Sequence, residues 1–236
     1  MRRFYLEGIR ETDRLCMLTG SEHTHLKDVL RLGPGEEVLI INGRGLELSA
    51  KIMESKKDKT MLQVLKAREG LGESDLNLSL ALSVTKGLKA EWVIEKATEL
   101  GANEILIFSS SRSVAKVNQV KEERYKKAGI SALKQSGRSY LPKIEMLESF
   151  EEALTTANGV KLLMHPGGVR FKDELREIKE KEITIFIGPE GGFSEEETGL
   201  GEKHGAKLVT LGKRILRAET AALTALAIAQ FELGDI

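Results

Sequence analysis

A carboxylate set among glycines, Gly188-Pro189-Glu190-Gly191-Gly192, is the chain's most suggestive chemical feature. Glycines there let the backbone take positive φ or approach a ligand closely. Pro189 fixes the turn and puts Glu190 at its apex. About twenty residues on comes a cationic run, Lys213-Arg214-Ile215-Leu216-Arg217, followed by Glu219 and Thr220. A carboxylate can take a proton, and cations beside it can stabilise the anion left behind. The same residues can equally form a strand-to-helix turn and a structural ion pair of Arg217 with Glu219. Residue types alone leave both readings open.

A glycine loop opening a helix most often holds phosphate. Here Glu195, Glu196 and Glu197 fill the first helical turn, where they already answer the helix dipole and repel an anion. No Lys-Ser/Thr pair follows the glycines, and their spacing is not that of a dinucleotide fingerprint. A ligand rich in hydrogen bonds but without phosphate fits better.

These residues need strands and helices to position them. ITIFI (183–187) is a short β-branched run suited to a buried parallel strand. Ser194 with Glu197 three residues on is a capping box that starts the next helix. KLVTL (207–211) is a second strand, ending at Gly212, and a nearly uncharged helix runs from Thr220 to about Leu233, buried on most sides. Two loops at the carboxyl ends of two strands make a crevice, the usual ligand position in an open α/β sheet.

Upstream, LNLSLALSV (76–84) alternates as a strand with one buried face, followed by a helix near 89–100 and strand EILIF (104–108). Then come a helix over 118–136, a strand near KIEML, a helix near 149–157, strand KLLM (161–164) and a helix near 172–181. Strands alternating with helices predict an α/β fold with a covered parallel sheet. Residues 1–72 read instead as five short strands, near RFYLE, LCML, EVLII, ELSAKIM and TMLQVLKA, with one short helix near HTHLKDVLRL. Asn42-Gly43 marks a hairpin, so this part predicts a small β-barrel. REGLGESD (68–75) marks the boundary, giving domains 1–72 and 73–236.

The four histidines and the single cysteine, Cys16, show no zinc spacing, so no metal is expected. His165 before Pro166 reads as a loop residue rather than a base. Trp92 and Tyr125 lie in amphipathic helices and read as core. Arg2 and Arg3 are not followed by an apolar core, and no run approaches a membrane span, so a cytoplasmic protein is expected. The 36 basic and 36 acidic residues cancel, yet their distribution is uneven. Residues 112–143 carry a net of +7, residues 145–200 a net of −7, and residues 201–217 a net of +4. A basic face able to meet RNA phosphate is therefore compatible with a neutral total.

GPEGGFSEEE followed by LGKRILRAETAALTALA resembles the signature of the RsmE family, S-adenosylmethionine-dependent enzymes that methylate N3 of a uridine in 16S ribosomal RNA. The resemblance extends to KGLKAEWVIEKATELG (86–101), QSGR (135–138), His165-Pro166 and HLKDVLRLGPGEEV (25–38), and so spans nearly the whole chain. It implies a PUA-like RNA-binding barrel ahead of a SPOUT domain. In that domain the cofactor sits by a deep trefoil knot within about 160–236, and the protein is a homodimer. By matching position, S-adenosylmethionine would contact Leu163, His165, Gly188, Pro189, Glu190, Gly191, Leu211, Gly212, Ile215, Leu216, Arg217, Thr220 and Ala221. Catalysis would fall to Glu190 as base, with Arg217 or Arg138 stabilising charge on the uracil. RNA would be held by Arg2, Arg3, Lys27, Arg31, Lys86, Arg112 and Arg138. Ser111 and Lys134 stand where the family carries glutamate, so no acidic role is expected at either position. The competing readings are the same fold acting on another RNA such as tRNA, a non-catalytic ribosome assembly factor, and a nucleotide-phosphate enzyme, the last disfavoured by the acidic helix start.

Overall fold

Residues 1–84, 89–112 and 121–236 are described in the computed structural model. The chain packs as two units, one comprising Met1–Glu73 with Ile130–Leu141, the other Ser74–Gly129 with Pro142–Ile236.

In the first unit, β-branched and leucine-rich runs form β1 (Arg3–Tyr5), β2 (Leu15–Thr19), β3 (Glu37–Ile41), β4 (Leu46–Ser55) and β5 (Lys59–Glu69). They form one sheet in the order β1-β3-β4-β5-β2, antiparallel except for the β1–β3 pair. Every strand sends side chains into one interior cluster, among them Phe4, Leu18, Ile40, Leu48 and Leu62. Between β2 and β3 the chain forms α1 (Gly20–Thr24) and one π-helical turn (His25–Val29), which plants Leu26 in that cluster. Cys16 lies there too, and burial pushes its thiol up to about 11, so it is no nucleophile at neutral pH. Segment 130–141 belongs to this unit through an anchor that local sequence does not reveal. Arg138 is buried, and its Nε and Nη2 donate to Glu73 at 3.0 and 2.6 Å. The other Glu73 oxygen accepts the backbone N–H groups of Ser139 and Tyr140, both at 2.9 Å.

The second unit carries a parallel sheet of β6 (Asn77–Ser83), β7 (Ala102–Phe108), β8 (Lys143–Leu147), β9 (Val160–Arg170), β10 (Glu182–Ile187) and β11 (Lys207–Thr210), in the order β11-β9-β10-β6-β7-β8. The helices of this half of the chain are α2 (Ala90–Glu99), α3 (Glu122–Ser136), whose residues from Ile130 on belong to the first unit, α4 (Phe150–Thr156), α5 (Phe171–Glu177), α6 (Glu195–Lys203) and α7 (Ala218–Leu233). The start expected for α3, at residues 118–120, lies outside the described residues. α5 stops short of the expected 181 because Ile178 leaves the helix and buries itself in the core.

β6 corrects the expectation of a strand with one buried face. It is central, and both faces are covered: Leu78, Leu80 and Leu82 enter one core cluster, while Ala81 enters a second built on Phe108, Phe150, Phe186 and Phe193. Tyr125 is buried as expected, whereas Trp92 is exposed on α2. α7 buries Ala222, Ala225, Leu226 and Ala229, and within it only Thr220 and Phe231 are exposed, so the helix is covered on most sides as expected.

β9 is longer than KLLM. It pairs with β11 through Leu163–Leu208, then resumes at Val169–Val209, so residues 164–168 bulge out opposite a single peptide. Return to register requires Gly168, where a Cβ would lie 2.4 Å from the Val209 nitrogen and 2.5 Å from the Leu208 carbonyl carbon. Gly168→Ala should therefore cost about 1–3 kcal/mol by overpacking against backbone that cannot step aside. A thermal or denaturant midpoint equal to that of the unsubstituted chain would show that the strand pair has room.

Candidate functional site

The carboxyl ends of three neighbouring strands, β11, β9 and β10, open on one cavity of about 280 Å³. Its wall is made by Met164–Pro166 from the β9 bulge, Ile187–Gly192 after β10, Val209–Leu216 after β11, and Ala218 and Ala221 on α7.

Each segment has a local reason for its shape. The glycine loop is a tight turn closed by a hydrogen bond from the Gly192 N–H to the Pro189 carbonyl at 2.8 Å, with Gly192 at φ 67°. Phe193 then folds under the loop and packs on Phe150 with ring centroids 4.9 Å apart. That placement needs a residue without a side chain at 188, since a Cβ there would come within 3.0 Å of the Phe193 ring. The expected capping box is present: Ser194 Oγ accepts from the Glu197 N–H, and Glu197 returns a carboxylate oxygen to the Ser194 N–H at 2.8 Å. In the β9 bulge, His165 Nδ1 accepts from the Gly167 N–H at 3.1 Å, a loop role rather than that of a base. After β11, Gly212 takes φ 132°, outside the range comfortable for a side chain, and turns the chain into the cationic run.

Leu211 and Leu216 line the cavity beside Glu190, Lys213 and Arg214 and the ends of three strands, with Ile187 and Val209, buried in the core, beneath it. Such a wall suits a flat, partly apolar ligand with polar edges, held largely by main-chain groups. Adenosine joined to a charged amino-acid tail fits that donor set. Among the described residues no group of His, Cys, Asp or Glu could hold a metal ion.

His165, Gly188, Pro189, Glu190, Gly191, Leu211, Gly212, Ile215, Leu216 and Ala221 are thus brought together. Three expected contacts are not. Leu163 is fully buried in the phenylalanine cluster, because alternation along β9 turns it away and the wall begins one residue later, at Met164. Ala218 and Ala221, three apart, share the helix face on the cavity, which sends Thr220 outward to solvent. Arg217 is the N-cap of α7, exposed beside the wall rather than part of it. Alternation read to the ends of the strands would have found Met164, Ile187 and Val209.

The expected RNA contacts divide. Arg2 and Arg31 are exposed, Arg31 with φ 55° at the turn after the π-helix. Arg3 pairs with buried Glu47 at 3.0 Å, and Lys27 donates to the Lys56 carbonyl at 2.8 Å. Arg138 is a correction: it is only 3% exposed and held by Glu73, turned away from solvent. Arg112 donates to the Gly191 carbonyl at 2.7 Å. Lys86 lies outside the described residues.

An RNA methyltransferase domain matches residues 72–230, and an RNA methyltransferase PUA domain matches residues 18–60. The ribosomal RNA small subunit methyltransferase E of Rickettsia conorii is 31% identical over 95% of this chain and 93% of its own. The chain belongs to the ribosomal RNA small subunit methyltransferase E family. The Bacillus subtilis member of the family is 28% identical, covering 98% of this chain and 97% of its own. The Neisseria gonorrhoeae family member, solved bound to S-adenosylmethionine, superposes with a TM-score of 0.91 at 32% identity, over 100% of this chain and 99% of that one. A methyltransferase from Legionella pneumophila in complex with the same cofactor gives 0.90 at 32% identity, over 99% and 98%. Family membership thus covers both units, and no described helix is long and apolar enough to cross a membrane.

Proposed function

We propose that the chain methylates N3 of a uridine in 16S ribosomal RNA, using S-adenosylmethionine bound in the cavity at the ends of β9, β10 and β11. The observation that carries this is the cavity's make-up, main-chain groups and apolar side chains with an acidic helix start, in a chain whose full-length relatives are solved with that cofactor. Bound there, S-adenosylmethionine supplies a methyl group on a sulfonium, already electrophilic. The chain's task is then mainly to align the uridine nitrogen with it and exclude water. The N3 proton must leave, and Glu190 at the loop apex is the base we assign. Arg217 at the start of α7, exposed beside the cavity, stabilises charge on the uracil oxygens. Arg138 is withdrawn from that role.

The reading includes a PUA-like RNA-holding domain over about 1–72, a catalytic domain over about 73–236 and a trefoil knot within 160–236. It also includes a homodimer. The exposure of Ile215 at 82% and Phe231 at 69%, on the cavity loop and the last helix, supports burial of these surfaces by a second copy. Methylation of unmodified 30S particles beside naked 16S RNA, with the product nucleoside identified, tests the activity. Formation of N3-methyluridine is expected. Methylation of transfer RNA alone, or none in either substrate, would overturn it.

A further inference from the structure

The glycine loop is gripped by Ser111 and Arg112, which are not among the described residues that line the cavity. β7 ends at Phe108, and although β6 separates β7 from β10 in the sheet, the loop after β7 reaches the loop after β10. Among the described residues, two contacts show the join. Glu197, buried at 7% exposure, accepts the Ser111 N–H at 2.8 Å with the carboxylate oxygen not used for its capping box. Arg112 donates from Nη1 to the Gly191 carbonyl at 2.7 Å. The Arg112 stem also lies across Gly191: a Cβ built on that glycine would be 3.5 Å from Arg112 Cδ.

We propose that Arg112 is a positioning residue for the donor cavity, fixing the Gly191 carbonyl so that the Gly188–Gly192 wall is already in its binding shape. The proposal rests on the reading that this cavity holds S-adenosylmethionine. A turn whose glycines permit many conformations loses entropy when a ligand orders it, and a contact that orders it beforehand removes that cost from binding. The hydrogen bond is charge-assisted, and its acceptor is a main-chain atom of the wall itself. The role differs from the phosphate contact expected of Arg112 from sequence, and the two are separable.

Calorimetry of the full-length protein with S-adenosylmethionine, beside RNA binding at several salt concentrations, makes the test. Arg112→Ala should weaken the donor Kd roughly fivefold, the equivalent of one hydrogen bond. The RNA affinity, its salt slope and the thermal midpoint without donor should not change. Arg112→Lys, which keeps one donor but not the fork, should recover part of the loss. An unchanged donor Kd with weaker RNA binding and a shallower salt slope would make Arg112 a phosphate contact and overturn the proposal. So would a lowered midpoint with the donor Kd intact, which is the mark of a purely structural role. Failure of the unsubstituted protein to bind the donor would remove the cavity reading first, and this proposal with it.

Discussion

Glu190→Gln is expected to lower kcat by about a hundred- to ten-thousand-fold, the usual worth of a positioned general base. The donor Kd should stay within about threefold, because the amide keeps the shape and hydrogen-bonding reach of the carboxylate while losing its affinity for a proton. Glu190 sits at the apex of the Pro189–Gly192 turn, exposed and lining the cavity. A group there can meet an incoming base without distorting the loop, whose shape depends on Phe193 below it and on Gly192. Single-turnover methylation beside donor calorimetry separates the two effects. A fall in kcat of only a few-fold would assign the proton to another acceptor. A large rise in donor Kd would make Glu190 a binding residue instead.

Glu73→Ala should destabilise the N-terminal unit by about 3–5 kcal/mol, as removing one partner of a buried ion pair does. The loss has two sources. Arg138, 3% exposed, would be left charged and without its carboxylate. The N–H groups of Ser139 and Tyr140 would lose their acceptor, and with it the tie of segment 137–140 to residues 71–73. Replacing both members, Glu73→Gln with Arg138→Met, should cost less than Glu73→Ala alone, because the buried guanidinium then goes with its carboxylate. Denaturant unfolding followed by a probe in the N-terminal unit measures this. Equal midpoints for Glu73→Ala and the unsubstituted protein would show that water reaches Arg138 and that the pair is not an anchor.

Where function and fold were legible in the sequence, the reason is locality. The capping box at Ser194 and Glu197 involves residues three apart, and ITIFI and EILIF are short apolar runs complete in themselves, so both could be read without knowing the neighbours. Three other features depend on partners distant in the chain. The β9 bulge exists only because β11, some forty residues later, resumes pairing at Val169, so His165-Pro166 looked like the end of a strand. Whether Leu163 or Met164 faces the cavity turns on where that bulge begins. Arg138 looked like a free cation after a helix because its partner Glu73 is 65 residues away. Arg112 likewise carries no local sign that its guanidinium ends on Gly191, 79 residues on.

The central claim, that the ends of β9, β10 and β11 hold the methyl donor, is tested most directly by a crystal structure of this chain grown with S-adenosylmethionine. The account predicts the donor in the cavity between the Gly188–Gly192 turn and the Leu211–Leu216 loop, held chiefly by main-chain groups, with its methyl group directed toward Glu190. A donor bound elsewhere, or a cavity that instead takes a nucleoside triphosphate at the start of α6, would contradict it.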